Sequence, residues 1–440
     1  MSKQARTDGH INREKEKPKI FYGWYVLAIG MFGAFLGAGT SQVFMSTMLK
    51  PLTEEFGWSR TIATGAITTG TILAGFFSFP FGKLADRYGP RLLTSLGALV
   101  IACMYVAMTK FATLWQFYVI FVIARVVTAN TLSSVVPQTA VVNWFRRYRG
   151  RALGLLSMAT PLGASVLAFV AQLIMEQHGW RTVFVSFALA MGFLEVIPAA
   201  LVLRRRPEDL GLVPDGINNA HVASASKHLP PARGEAAWTV GEAIRTRTLW
   251  LLITAIVIAL TVNTGVGFHL VAYYTDVGIV PSAAVGALSI YALTGAVANA
   301  IWGFLSERLP ERILASVVMI LTALAILYLQ AVRTIPGAFL FAVLFGLTSR
   351  GEGTLVNIIL AQYFGRSSYG AISGFVYPFN MIAMGFGPLI CSLGFDLTGS
   401  YQMFFSVFIA VSLISALLFW LARKPTPPAG GLRTHPPAEI

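Results

Sequence analysis

Gly82-Lys83-Leu84-Ala85-Asp86-Arg87-Tyr88-Gly89-Pro90-Arg91 sets four charges into ten residues between two long apolar runs. Glycine permits close backbone approach, and Gly89-Pro90 stops a helix and turns the chain. About 221 residues later the chain repeats the stretch in weaker form, as Gly303-Phe304-Leu305-Ser306-Glu307-Arg308-Leu309-Pro310-Glu311-Arg312. Gly82 corresponds to Gly303, Leu84 to Leu305, Asp86 to Glu307, Arg87 to Arg308 and Arg91 to Arg312. Ten residues in register, flanked by membrane-length runs and present once per half, mark a duplicated helical chain and not an ordinary charged loop.

Of the 440 residues, 55% are hydrophobic and only 12% charged. Soluble domains carry about 25% charged residues, so the composition is that of a polytopic membrane protein. Cys103 and Cys391 both fall inside apolar runs and read as small core residues, neither a disulfide nor a metal pair.

Residues 1–20 are polar and basic and read as a cytoplasmic tail. The first apolar run, 22–48, is too long for a secretory signal and counts as the first span. Eleven more runs reach the roughly 20 residues a bilayer needs: 60–81, 92–109, 113–141, 152–175, 182–203, 248–274, 283–305, 313–330, 335–361, 371–395 and 401–422. An even count puts both ends of the chain on one side. Twenty-six of the 33 Lys and Arg fall on that side and five on the other, which makes both termini cytoplasmic. The net charge of +14 therefore reads as topology and as attraction to anionic lipid, with no nucleic-acid partner. The polar stretch 204–247 is an interdomain linker between halves at 21–203 and 248–422, and 423–440 is a second cytoplasmic tail. The expected fold is all-α, with twelve transmembrane helices in two pseudo-symmetric six-helix halves.

Other segments repeat between the halves. Asn143-Trp144-Phe145-Arg146-Arg147, leading to Gly150-Arg151-Ala152-Leu153-Gly154, is answered by Gln362-Tyr363-Phe364-Gly365-Arg366 and Gly370-Ala371-Ile372-Ser373-Gly374. With the repeated decapeptide, this layout resembles the major facilitator superfamily, whose signature loop between spans 2 and 3 has the form G-x-L-(A/S)-D-R-x-G-x-R. Tyr22-Gly23-Trp24, Trp144-Phe145, Ala152-x-Gly154 and Gly163 are similar to the monocarboxylate porter and oxalate/formate antiporter branches. Two departures stand out. Asn299 occupies the place in span 8 where those branches often carry Arg, and no Lys or Arg lies between Ala371 and Phe395. The resemblance implies a substrate site near the midplane, lined by spans 1, 4, 7 and 10. It also implies gating by Asp86, Arg87 and Arg91 and by Glu307, Arg308 and Arg312, with Asp86 paired to basic side chains.

Charges in mid-span carry the chemistry, because an Arg at a helix centre costs about 2.5–3.5 kcal/mol on insertion scales. Arg125 in span 4 and Arg350 in span 10 are the two mid-span basic residues, in counterpart helices. A guanidinium fork matches a carboxylate, so the pair suits an anionic substrate. The alternative makes them helix fasteners, paired with Glu195 or Glu352. Those two carboxylates, with His269, are the proton-coupling candidates. Glu352 lies two residues from Arg350, about 200° round a regular helix, so the two should not share a face. Gln42, Asn130, Asn263, Asn299 and Asn357 are further substrate-binding candidates, with Tyr273 and Asn380 as weaker ones, and each could equally bond a neighbouring helix. No catalytic motif, metal-ligand spacing or phosphate loop is present, so neither an enzyme nor a cofactor is expected.

The sequence thus reads as a monomeric secondary transporter of the plasma (cell inner) membrane, taking up a small organic anion with a proton. The rival readings are an exporter of drugs or metabolites, an importer of a heteroaromatic compound such as a vitamin, and a transport-dead nutrient sensor.

Overall fold

The computed structural model describes residues 21–40, 42–58, 60–216, 238–398 and 400–426. The tail at 1–20, the middle of the linker and the chain from 427 onward lie outside the described residues. Among those described there is no strand. Ten helical runs are long and apolar enough to cross a membrane. One of them, Arg149–Val202, folds back at Gly179, whose φ of 78° only glycine adopts freely, and so supplies two spans. Arg60–Tyr88 is less apolar, being rich in Thr and Gly, and completes the twelve.

In chain order the spans are α1 (Tyr22–Gly37, a 3-10 turn Ala38–Thr40, then Gln42–Phe56), α2 (Arg60–Tyr88) and α3 (Pro90–Met108). Next come α4 (Leu114–Thr128, a π turn Ala129–Ser133, then Val135–Trp144), α5 (149–178) and α6 (180–202). The second six are α7 (Arg247–Asp276), α8 (Pro281–Leu305), α9 (Glu311–Ala331), α10 (Ile335–Ser349 and Gly351–Phe364), α11 (Tyr369–Thr398) and α12 (Gln402–Leu421). The charged decapeptide is mostly helix, where the sequence reading placed a connector. α2 continues through Lys83, Asp86 and Arg87 to Tyr88, and the turn is confined to Gly89 at φ 79°, with Pro90 opening α3.

Buried apolar side chains form three cores. One lies toward the linker and is shared by both halves, from Leu27, Trp144 and Leu153 to Leu252, Trp302 and Phe364. The other two lie at the far end, one drawn wholly from the first six spans and one wholly from the last six. The halves are therefore welded at the linker end and hold separate cores at the other. Glycines make the weld possible. A Cβ on Gly82 would overlap the Gly370 carbonyl, and one on Gly303 would overlap the Gly150 carbonyl. Gly374 and Gly154 rest in the same way against the backbones at Ser78 and Asn299. These are the residues that the internal repeat makes equivalent, so α2 meets α11 and α5 meets α8 by the same contact.

The residues similar to the monocarboxylate branch also come together. Tyr22 packs on Trp144 with ring centroids 5.3 Å apart, and Trp24 packs edge-on to Phe145 at 5.0 Å. The Tyr22 hydroxyl donates to the Val202 carbonyl at 2.7 Å, tying α1 to α6.

Gly82→Ala and Gly303→Ala should each wedge the weld open. Spin labels on the linker ends of α2 and α11 should report a distance distribution shifted outward by several ångströms. Distributions unchanged in both variants would show that the glycine contacts do not hold this end shut.

Candidate functional site

Both α4 and α10 are broken at mid-depth, and the breaks organise the centre of the molecule. In α10, Gly351 and Gly353 follow Arg350, and each glycine lowers helix propensity by about 1 kcal/mol against alanine. Arg350 takes φ −107°, ψ −10° as the joint between two helical segments. The carbonyls freed there find side-chain donors. Trp302 Nε1 donates to the Leu347 carbonyl at 2.6 Å, and Asn263 Nδ2 donates to the Ser349 carbonyl. In α4 the π turn ends at Ser134, at φ −133°, ψ −88°, and the Ser134 hydroxyl donates to the Ala129 carbonyl at 2.7 Å. Non-helical backbone at membrane depth is tolerated only where protein satisfies it or a cavity borders it.

Between α4, α7, α10 and α11 lies a cavity of about 180 Å³. Its polar lining is Gln138, Asn357, Ser373, Tyr377 and Asn380, and its apolar lining includes Ile256, Leu260, Val356, Met381 and Met384. Arg125 sits against Gly70 of α2, its Nε donating to Thr71 Oγ1 at 3.4 Å, within electrostatic reach of the Tyr377 hydroxyl. Arg350 is exposed, with its aliphatic stem against Gly295 and its guanidinium 5.5 Å from the Tyr291 ring centroid. Glu352 is buried, one oxygen accepting from Asn263 Nδ2 and the other without a partner. Glu352 and Arg350 therefore stand on different sides of α10, one toward α7 and one toward α8.

The remaining sequence candidates divide by what they touch. Asn357 and Asn380 line the cavity. Asn130 ties α4 to α2 through the Ala74 carbonyl at 3.1 Å, and Asn299 accepts from Thr354 Oγ1 at 2.8 Å. Asn263 holds Ser349 and Glu352. The side chain of Gln42 lies outside the described residues. Glu195 is fully buried on the π turn of α6, against Gly33, and neither oxygen has a partner. It borders a separate small space with Thr94 and Thr131. His269 is buried between α7, α11 and α12, hydrogen-bonded to Tyr401, Pro388 and Ser392, and not solvated at a helix end. The Tyr273 hydroxyl donates to the Leu329 carbonyl at 2.9 Å. Gln138, Tyr377 and Tyr291 escaped the sequence reading, although Gln138 follows the π turn of α4 and Tyr377 precedes Pro378.

At the linker end the bonds between the halves are reciprocal. Asp86 accepts from the backbone N–H groups of Gly370 at 3.0 Å and Ala371 at 2.8 Å, in the first turn of α11. Its counterpart Glu307 accepts from the N–H of Arg151 in the first turn of α5 at 3.0 Å and pairs with the Arg151 guanidinium at 2.6 Å. Asp86 thus caps a helix through backbone N–H groups, and basic side chains of the kind expected from the sequence, those of Arg205 and Arg206, lie within electrostatic reach of it. Arg87, Arg91 and Arg308 are exposed, and Arg312 is half-buried. Arg149, hidden among the loop basics in the sequence, is buried and donates to Val142, Phe145 and Ala361, binding the ends of α4 and α10 together. The start of the linker straps across this end. Asp215 accepts from the N–H groups of Arg146, Arg147 and Tyr148, Glu208 pairs with Arg366, and Arg205 donates to the Asp86 carbonyl.

Two six-helix halves, joined at one end over a polar central cavity and built on separate cores at the other, define a multi-pass membrane transporter and not an enzyme. The chain belongs to the Major Facilitator Superfamily, which it matches over residues 27–288 and 270–438. It is 22% identical over 413 residues to the uncharacterized MFS-type transporter YcxA of Bacillus subtilis (strain 168), covering 90% of this chain and 94% of that one. It is 24% identical over 420 residues to monocarboxylate transporter 4 of Rattus norvegicus, covering 91% and 83%. A shorter match, 28% over 200 residues covering 45% and 42%, is to a probable L-galactonate transporter of Escherichia coli (strain K12). Among solved structures, the human organic anion transporter MFSD10 (TETRAN) superposes with a TM-score of 0.68 at 16% identity, over 90% of this chain and 99% of that one.

Asp86→Asn keeps the shape but weakens two charge-assisted bonds, each worth about 1.5–3 kcal/mol. The expected outcome is greater accessibility of a cysteine placed at Ser373, with folding unchanged. Accessibility equal to that of the parent would remove the capping bond from the gate.

Proposed function

We propose that the chain is a proton-coupled importer of a small organic anion, working by alternating access as a monomer. Its two halves are 21–203 and 248–422, moving about the linker 204–247. The Lys/Arg bias supports a cytoplasmic linker end and a plasma (inner) membrane location, and on that reading the state described here is closed inward. The observation that carries the reading is Arg350, exposed at the break in α10 with its guanidinium on Tyr291 and no carboxylate paired to it among the described ion pairs. Arg125 is its counterpart at similar depth in α4, held by one long bond to Thr71. Neither arginine forms an ion pair with Glu195 or Glu352 among the described residues, their contacts being with Thr71 and Tyr291, and an anion between the halves would engage both forks. The names of the relatives and of the structural neighbour, a monocarboxylate transporter, a probable L-galactonate transporter and an organic anion transporter, support the same class.

Glu352 is the proposed proton carrier. It is buried beside the break in α10, and one of its oxygens lacks a partner, which suits an acid that gains and loses a proton as the helix rearranges. Glu195 lies in a separate space, and His269 has both ring nitrogens bonded, so each is less suited to the task.

Binding to the purified, folded protein tests the anion reading. Arg350→Ala should weaken an anionic substrate roughly ten- to a hundredfold, the worth of one charge-assisted contact, with Arg350→Lys between the two. Unchanged affinity in both Arg125→Ala and Arg350→Ala would make the arginines structural. In vesicles, Glu352→Gln should abolish uphill uptake driven by a pH gradient while keeping counterflow exchange. Uphill uptake that survives would move the proton elsewhere.

A further inference from the structure

The cavity between α4, α7, α10 and α11, whose Tyr377 lies within electrostatic reach of Arg125, carries a second kind of information. Gln138, Asn357, Tyr377 and Asn380 converge on it from α4, α10 and α11, and among the described residues none of the four side chains makes a hydrogen bond. The Asn380 carbonyl oxygen is in addition sealed from solvent without a partner. The oxygens of Asn130 and Asn263 are sealed in the same way, but their NH2 groups bond neighbouring helices, and the oxygen of Asn299 accepts from Thr354 of α10. All four side chains are half-buried, and a helix bundle in lipid has little reason to turn four unbonded polar groups onto one space unless something there bonds them. Three carboxamides and a phenol offer both donors and acceptors, and no charge.

The complementary ligand surface is a set of hydroxyl groups, each able to donate and accept. A second carboxylate would meet no cation in this lining, and a bare alkyl chain would leave all four groups unpaired. The facing wall of Ile256, Leu260, Val356, Met381 and Met384 suits the C–H face of the same molecule. The size agrees, since about 180 Å³ admits a sugar-sized metabolite, while drug-sized ligands occupy about 300–1,000 Å³. We propose that the transported anion is a polyhydroxylated carboxylic acid, its carboxylate at Arg350 and Arg125 and its hydroxyls on Gln138, Asn357, Tyr377 and Asn380. The assignment rests on the anion reading above and makes these four the specificity-determining residues.

Three probes of similar size separate the two claims on purified protein in nanodiscs: gluconate, hexanoate and sorbitol. Gluconate should bind at least tenfold more tightly than either of the others. Gln138→Ala with Asn357→Ala should lower gluconate affinity tenfold or more and leave hexanoate unchanged, the hexanoate value serving as the control for folding. Arg350→Ala should weaken gluconate and leave sorbitol unchanged. If hexanoate binds as well as gluconate, or the amide variants weaken both acids alike, the hydroxyl assignment is overturned while the anion reading stands. If sorbitol matches gluconate and Arg350→Ala changes neither, the anion reading falls and takes the acid with it. Binding of none of the three overturns the polyhydroxylated class.

Discussion

Two carboxylates bonded to backbone N–H groups, each reaching across from one half to the other, decide which end of this molecule is shut. The first turn of a helix leaves N–H donors unsatisfied and carries the positive end of the helix dipole. Asp86 supplies the acceptor for α11, and Glu307 supplies it for α5. Neither bond can form unless the helices approach to backbone contact, and only the glycine pairs Gly82–Gly370 and Gly303–Gly150 allow that approach. Each charge-assisted bond is worth a few kcal/mol at most, so the closure is specific without being permanent. In the proposed transport cycle a gate would need that range. A ligand shifts a two-state balance only by its differential affinity, and a stronger lock would exceed what a small substrate can supply.

The same economy governs the interior. Breaking α4 and α10 at mid-depth exposes carbonyls that lipid cannot satisfy, and one mid-span amide and one indole bond those freed in α10. Asn263 and Trp302 serve α10, and Asn130 clamps α4 to α2. What is left over is the cavity lining and the two arginines. An Arg beside a polar cavity retains solvation that a lipid-facing one would lose, which lowers the cost of keeping it there.

Much of this was legible in the residues. Twelve runs, the duplicated decapeptide and the pairing of Arg125 with Arg350 by depth all follow from spacing and charge. The pairing even extends to contacts, since equivalent residues in the repeat make equivalent welds. Partners were not legible. Nothing in a sequence tells that Asp86 will bond two backbone N–H groups, because every residue but proline offers one. Asn130 and Asn357 look alike as mid-span amides, and only the positions of the helix breaks send the first to a carbonyl and the second to open space. Arg149 was counted with the loop cations because its neighbours Arg146, Arg147 and Arg151 are charged too. Its burial comes from the weld, which is a property of two segments far apart in the chain.

The break in α10 also constrains how a proton and an anion could be linked in the proposed reading. Arg350 and Glu352 cannot exchange charge directly, since they stand on different sides of the helix. They are nevertheless joined through one amide. Asn263 Nδ2 donates both to the Ser349 carbonyl, immediately before the Arg350 joint, and to the Glu352 carboxyl, just after it. The amide NH2 carries two hydrogens, one for each acceptor, so both bonds stand together. The bond to Glu352 is the stronger when the acid is ionised. In the proposed reading, loss or gain of the proton would therefore change how firmly the amide ties α7 to the segment after the Arg350 joint. The two-residue spacing, which rules out an ion pair on one face, is the spacing that lets a single amide read both sides of the break.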